Sequence, residues 1–290
     1  MVVGTVSWNV PVSALTPGEM IGDYDLVFLL VKQTHNEKAF TQLRPHLHAQ
    51  SVVCTLQNGI PEPAVAAAFG AGRTMGAAVT WAGTYLSPGR VESTAAPEKW
   101  RALLGTADGR LTEAAKTVQS ILTLVCPTEL VGDLTGTRWS KLLVNASFSG
   151  MSAVLGCTFG EILDNPRALE CAQRIARECI RVAAAQGVAM AEIWPGVDFK
   201  KSMDFDTEEE RLATADIYHR LWGAVRSGRA SMLQDIENGR KSEIDFINGL
   251  LSGAGRTYRV PTPVNDIVLG IVRGIEDGEY KLGFHNLDLF

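Results

Sequence analysis

Several features are missing from this 290-residue sequence, and each absence narrows the class of protein. No apolar run reaches the roughly 18 residues of a membrane span. The opening stretch MVVGTVSWNVPV lacks the basic start and the apolar core of a signal peptide. Lys and Arg number 27 against 32 Asp and Glu, which gives a net charge of −5 and no basic stripe. We therefore expect a cytoplasmic protein that binds neither membranes nor nucleic acids.

Cysteine is scarce, and its spacing argues against a CxxC redox motif and against a zinc site. The five cysteines are odd in number, and none forms a CxxC pair. No Cys/His cluster has the spacing of a zinc site, so we predict no metal centre. The pattern favours reduced thiols in the core of an intracellular protein.

The periodicity of the apolar residues changes once along the chain. Short apolar runs such as DLVFLLV (25–31) and SVVCTLQNG (51–59) alternate with helical patterns in the first part, which predicts an α/β domain with a largely parallel sheet. After Gly132-Asp133 almost only helical periodicity remains. We predict an α/β domain over residues 1–132 and an all-helical domain over residues 133–290. The expected helices there are 134–156, 166–187, 207–226, 230–238, 241–257 and 263–277.

One long connection interrupts the helical part. The stretch WPGVDFKKSMDFDT (194–207) shows neither periodicity. Long irregular connections are surface loops or lids over a cleft, and we expect one of these two.

A polar stripe runs along the first predicted helix of the second domain. Lys141, Asn145, Ser149 and Ser152 recur at i, i+4, i+8 and i+11, while apolar residues cover most of the other faces. A lysine on such a helix can reach solvent by laying its stem along the core. Alternatively, the stripe faces a cleft between the domains, and its polar groups bind a ligand.

Two polar residues follow predicted strands of the first domain. Lys32 comes after DLVFLLV, and Asn58 comes after SVVCTLQ. In an open parallel sheet, ligands bind beyond the carboxyl ends of the strands, where both residues are expected. Asn58-Gly59 is also a common turn dipeptide, and Lys32 could be a solvated strand end.

A second polar cluster lies in SMLQDIENGRKSEIDFINGL (231–250). Ser231 and Asp235 are one helical turn apart, and Glu243 precedes an apolar helical face. Charges on such helices are most often solvated, and Glu237 and Asp245 fit that interpretation.

These three stretches together resemble one family. DLVFLLVKQ, QNG, RWSKLLVNA, SMLQDIENGRKSEIDFINGLL and PTPVND occur in this order, as in the ketopantoate reductase (2-dehydropantoate 2-reductase) family. The similarity extends from about Gly22 to Glu276. It implies a Rossmann-like NADP-binding domain, followed by a helical domain like that of 6-phosphogluconate dehydrogenase. It also implies an active site between them and allows a homodimer.

The resemblance implies a role for each residue that matches the family pattern. Lys141 matches the catalytic lysine that donates a proton to the keto oxygen, and Glu243 matches the acid of the same site. Lys32 and Asn58 match cofactor contacts. The substrate-side positions are matched by Asn145, Ser149, Ser231 and Asp235. An ammonium group with a reference pKa of about 10.4 suits the stabilisation of an alkoxide, and a carboxylate beside it would keep it charged.

The chain departs from the family pattern in two places. It has no GxGxxG loop ahead of its first clear strand, and GAGRTMG (70–76) has the wrong spacing and follows a helix instead of a strand. We therefore expect the opening βαβ unit to be absent and NADPH to bind weakly. Ser149 and Phe159 stand where the family has pocket asparagines, which favours a more apolar 2-keto acid.

The sequence therefore predicts an NADPH-dependent reductase of a 2-keto acid. By family default the reaction converts ketopantoate to pantoate, a step of pantothenate and coenzyme A biosynthesis. Two alternatives stay open. One is a related reductase with a different, bulkier keto substrate, and the other is a catalytically silent helical scaffold.

Overall fold

The computed structural model describes residues 2–3, 6–81, 83–93 and 97–290. The chain divides into two compact units. The first comprises Met1–Gln57 and Pro61–Leu134, and the second comprises Asn58–Ile60 and Thr135–Phe290. The first unit is α/β, and the second is helical.

Two sheets form the first unit. The strands are β1 (Val2–Val3), β2 (Val6–Ser7), β3 (Leu26–Leu29), β4 (Val52–Thr55), β5 (Thr74–Val79), β6 (Gly83–Ser87), β7 (Arg90–Ser93), β8 (Ala102–Thr106) and β9 (Thr128–Leu130). The five-stranded sheet has the order β3-β4-β5-β8-β9, and only its β5–β8 pairing is antiparallel. The largely parallel sheet is thus confirmed. The smaller sheet has the order β2-β1-β7-β6.

Helices cover the larger sheet on both faces. They are α1 (Asn36–Leu43), α2 (Glu62–Phe69) and α3 (Glu113–Thr123). Apolar residues of α3 pack with Cys54, Met75 and Leu104, while those of α2 pack with Leu29 and Val53. Neighbouring residues Val53 and Cys54 therefore serve opposite faces, which explains why these strands are continuous apolar runs.

The glycine string at residues 70–76 follows a helix and precedes a strand, which is the reverse of the order in a phosphate-binding loop. Gly70 ends α2 with φ +99°, and a short 3₁₀ turn over Ala71–Arg73 leads directly into β5. A dinucleotide loop instead follows a strand and opens a helix. The prediction that this string is not such a loop is confirmed.

Ten α-helices are described from Leu134 onward. They are α4 (Leu134–Val144), α5 (Gly150–Leu155), α6 (Phe159–Asp164), α7 (Pro166–Ala185), α8 (Phe199–Met203), α9 (Glu208–Ala213), α10 (Ala215–Trp222), α11 (Ser231–Glu237), α12 (Ile244–Tyr258) and α13 (Pro263–Glu276). They surround one apolar core, to which α7 contributes an almost continuous face. All five cysteines are buried, and none of them forms a disulfide.

Three details of the helical part differ from the sequence prediction. The expected loop or lid at 194–207 contains α8 and buries Val197, Phe199 and Met203 in the core, so it is a packed part of the unit. The expected helix over 207–226 breaks at Thr214. The Thr214 hydroxyl donates a hydrogen bond to the Arg211 carbonyl and accepts one from the Gln173 side chain. Helix α6 was not predicted, although the capping box of Thr158 and Glu161 marks its start.

No helix within the described ranges is both long enough and apolar enough to cross a bilayer.

Candidate functional site

A π-helical turn separates α4 from α5. It spans Asn145–Ser149, and the Gly150 N–H donates to the carbonyl of Asn145, five residues earlier. The Ser147 hydroxyl donates to the Leu143 carbonyl at 2.7 Å. The wider turn rotates the following side chains relative to a uniform α-helix, and such turns occur often at functional sites.

The predicted polar stripe is interrupted by this turn. Lys141, Asn145 and Ser149 are each partly exposed, on a segment that is otherwise almost entirely buried. Ser152, in contrast, is fully buried, and its hydroxyl donates to the Cys157 carbonyl at 2.6 Å. Three of the four predicted side chains are therefore partly exposed, and the fourth belongs to the core of the helical unit.

The amide of Asn145 is the least satisfied polar group of this stripe. Its Nδ2 is buried and has no hydrogen-bond partner among the described residues. An unpaired buried donor costs about 1–3 kcal/mol. A ligand oxygen at this position would remove that cost, so Asn145 is suited to donate to a bound carboxylate or hydroxyl group.

Helix α11 packs against α5 and the π turn, and it carries Ser231 and Asp235. Asp235 is buried, and its carboxylate lies 3.4 Å from Nε of Arg240. Ser231 is exposed at the first residue of the helix. The helical spacing of the two residues is as predicted, but their environments differ.

Glu243 occupies the position directly before α12, a helix that also packs against the π turn. The residue is only 6% exposed. The N-terminus of a helix favours a carboxylate through its free N–H groups and its dipole. Of the two neighbouring acids predicted to be solvated, Asp245 is exposed and pairs with Arg273, and Glu237 is exposed and pairs with Arg229.

Lys32 and Asn58 follow two adjacent parallel strands at equal distances. Leu29 pairs with Thr55 at the ends of β3 and β4, and Lys32 and Asn58 each come three residues later. The Gln57 side chain ties these ends together by donating to the carbonyl of Val31 at 2.5 Å. Both residues are partly buried.

Phe159 starts helix α6 and belongs to an aromatic cluster. Its ring meets that of Phe148 edge-on at 5.9 Å, and Phe148 stacks on Trp222 at 4.0 Å. Phe148 lies within the π turn, so Phe159 packs directly on the segment that carries Asn145.

Two buried asparagines at this site were not singled out from the sequence. Asn248 of α12 donates to the Ala146 carbonyl in the π turn at 3.1 Å and to Oδ1 of Asn265 at 2.8 Å. Both asparagines are fully buried. Helical spacing could have found Asn248, because it shares the apolar face of Ile244 and Leu251. A polar residue on such a face must be paired.

Within the described ranges, no three His, Cys, Asp or Glu side chains are placed to hold a metal ion.

The fold places the protein in a class that has an α/β unit with a largely parallel sheet, followed by a helical unit. Comparison with solved structures gives the same class. A 2-dehydropantoate 2-reductase from Geobacter metallireducens has a TM-score of 0.73 at 25% identity, over 87% of this chain and 77% of that chain. D-mandelate dehydrogenase, solved with NADH and anilino(oxo)acetate, has the same fold, with a TM-score of 0.73 at 20% identity over 91% of this chain and 80% of that chain.

Sequence comparison identifies the family. Residues 2–102 match the family model described as ketopantoate reductase PanE/ApbA, and residues 133–276 match the model of its C-terminal part. A 2-dehydropantoate 2-reductase from Archaeoglobus fulgidus is 29% identical over 257 residues, which cover 88% of this chain and 78% of that protein. The chain belongs to the ketopantoate reductase family, a family of oxidoreductases, as its sequence motifs predicted.

Proposed function

We propose that the protein reduces a 2-keto acid with NADPH, and that ketopantoate is the substrate. The names of the similar proteins describe this reaction. The observation that carries the proposal is the partly exposed line of Lys141, Asn145 and Ser149 on a buried helix, with an unpaired amide at Asn145.

Each of these groups has a chemical task in such a reduction. NADPH, when bound, would supply a hydride to the keto carbon, and negative charge would then develop on the former carbonyl oxygen. The Lys141 ammonium stabilises that charge and donates the proton that completes the alcohol. The Glu243 carboxylate favours the charged form of the lysine. Asn145 donates a hydrogen bond to the carboxylate of the substrate.

Lys32 and Asn58 are the residues proposed to hold the cofactor. The in-register ends of β3 and β4 support this assignment, because nucleotides bind beyond the carboxyl ends of parallel strands. A cationic side chain suits a phosphate group, and an amide can both donate to and accept from the nicotinamide end.

The test is a Lys141→Ala variant assayed by NADPH oxidation with ketopantoate. Loss of the proton donor should lower kcat by roughly 100-fold or more, because general acids contribute about 10²–10⁴ to rate. The Kd for NADPH, measured by titration, should change less than about threefold, since the lysine acts on the transition state. Lys201→Ala removes an exposed lysine of α8 and serves as the control.

An unchanged kcat in Lys141→Ala would refute the assigned role. If the wild-type chain fails to oxidise NADPH with every 2-keto acid tested, the silent scaffold becomes the better interpretation.

A second candidate function is the reduction of a different, more apolar 2-keto acid. It is favoured by Phe159, whose ring packs on the π turn and cannot hydrogen-bond through its side chain. A panel of 2-keto acids should then contain one with a higher kcat/KM than ketopantoate. Phe159→Asn should shift the ratio toward ketopantoate by a factor of about 10 or more, the lower end of the discrimination that one methylene-sized contact gives. A clear wild-type preference for ketopantoate would eliminate this candidate.

A further inference from the structure

The π turn has lost one α-helical hydrogen bond, and another helix replaces it. The Gly150 N–H, which would bond the Ala146 carbonyl in an α-helix, instead donates to the carbonyls of Asn145 and Ser147. The Nδ2 of Asn248 donates to the Ala146 carbonyl at 3.1 Å. The Asn248 side chain of α12 therefore replaces the hydrogen bond that the Ala146 carbonyl lacks in the π turn.

Hydrogen bonds with Asn265 fix the orientation of the Asn248 amide. Its Nδ2 also donates to Oδ1 of Asn265 at 2.8 Å, and the Asn265 Nδ2 donates to the Asn248 carbonyl at 2.9 Å. A reversed Asn248 amide would place its oxygen against two acceptors. Both backbone N–H groups at Val264 and Asn265 are held by Glu178, so the start of α13 is anchored as well.

The shape of the site also requires a small residue after the turn. A Cβ on Gly150 would lie 3.1 Å from Nδ2 of Asn248 and 3.1 Å from Cγ1 of Val268. Glycine at this position lets α12 approach the turn closely enough for the amide to reach Ala146.

We infer that Asn248, held by Asn265, is a positioning residue that fixes the π turn and thereby aims the Asn145 amide at the substrate. This inference rests on the proposed function, because Asn145 is there a substrate contact. Ala146 directly follows Asn145, so a bond to its carbonyl restrains the peptide that sets the Asn145 side-chain direction. The unpaired Nδ2 of Asn145 shows that the turn points this amide away from protein partners among the described residues.

The first experiment measures the turn itself by amide hydrogen exchange in the full chain. Asn248→Ala and Gly150→Ala should each accelerate exchange in peptides that cover residues 143–151. The matched control is Asn286→Ala, since Asn286 is also buried and donates to a helix carbonyl, that of Val154 at 2.9 Å. Equal exchange at 143–151 in Asn248→Ala and the control would overturn the inference, whatever the substrate.

The second experiment is a double-mutant cycle with Asn145→Ala on the 2-keto acid that the protein turns over best. Asn248→Ala should raise KM about tenfold with kcat changed less than about threefold, because ground state and transition state lose the same contact. In the Asn145→Ala background it should add less than about twofold, since the two residues act as one unit. Asn286→Ala should lower the melting temperature without raising KM.

The two hypotheses fail in different ways. An equal increase of KM with and without Asn145 would mean that Asn248 acts only through stability, which overturns the positioning role while leaving the reductase intact. If the wild-type chain reduces no 2-keto acid, the proposed function fails, and the exchange comparison alone decides whether Asn248 holds the turn.

Discussion

At the scale of single residues, Glu178 is a buried carboxylate in helix α7. Its two carboxylate oxygens accept the N–H groups of Val264 and Asn265, each at 2.9 Å, and so cap α13. Burial, and to a smaller extent the neighbouring Asp266, raises the pKa of Glu178 to about 7 against the lowering effect of these two hydrogen bonds.

This environment predicts a definite sign for the pH dependence of stability. The pKa is higher in the folded chain, so the stabilising contribution of Glu178 is complete below about pH 4.5 and is lost as pH rises through about 7. The loss amounts to at most roughly 3 kcal/mol, at 1.36 kcal/mol for each pKa unit. Relative to Glu178→Gln, the wild-type chain should therefore lose unfolding free energy between about pH 5 and about pH 8.

Urea unfolding of both proteins at the two pH values measures this difference, and the contributions of all other titrating groups cancel. A wild-type chain that gains stability relative to Glu178→Gln as pH rises would show that the two N–H donors, and not burial, determine the state of the carboxyl group.

At the scale of elements, two of the three glycines in helix α12, Gly253 and Gly255, have different surroundings. A Cβ on Gly253 would have no heavy atom within 4 Å, whereas a Cβ on Gly255 would lie 2.8 Å from Cγ2 of Thr262 and 2.8 Å from the Val260 carbonyl oxygen. Gly253→Ala should raise the free energy of unfolding by about 0.5–1 kcal/mol through helix propensity. Gly255→Ala should lower it by about 1–3 kcal/mol through overpacking.

Chemical denaturation of the two variants beside the wild type tests this pair. Because both changes add the same methyl group to the same helix, two shifts of the same sign would mean that the close approach of α12 to residues 260–262 is not a constraint on stability.

At the scale of the whole molecule, the apolar core of the helical unit is contained in one stretch of chain. Its buried members lie between Trp139 and Leu287, and of the described residues before position 133 only Ile60 is packed against it. A fragment of residues 133–290 should therefore keep its own core and unfold cooperatively. We expect a single sharp thermal transition in near- and far-ultraviolet circular dichroism.

The fragment of residues 1–132 is the comparison. Its core is divided into two smaller clusters on opposite faces of the sheet, so it should unfold at a lower temperature. A 133–290 fragment that keeps helical signal but loses near-ultraviolet signal would show that its packing depends on the first unit.

The sequence by itself determined the family and the change from an α/β part to a helical part. Period-3.6 and continuous apolar patterns report burial directly, because a side chain's neighbours along a helix or strand follow from spacing alone. That is why the strands at 26–29 and 52–55 and the helices at 166–185 and 263–276 lie close to the predicted positions. Lys141, Asn145 and Ser149 were predicted for the same reason, and their roles stay predictions.

Only the tertiary structure decided the features that depend on contacts between residues far apart in the sequence. The π turn at 145–149 depends on a donor more than 100 residues away, so no periodicity of α4 itself announces it. The same holds for the stretch 194–207, which is irregular in sequence but is packed by Phe199 and Met203 into the core of the helical unit. Asn248 and Asn265 hydrogen-bond each other across two helices, and such pairing exists only after the helices have met.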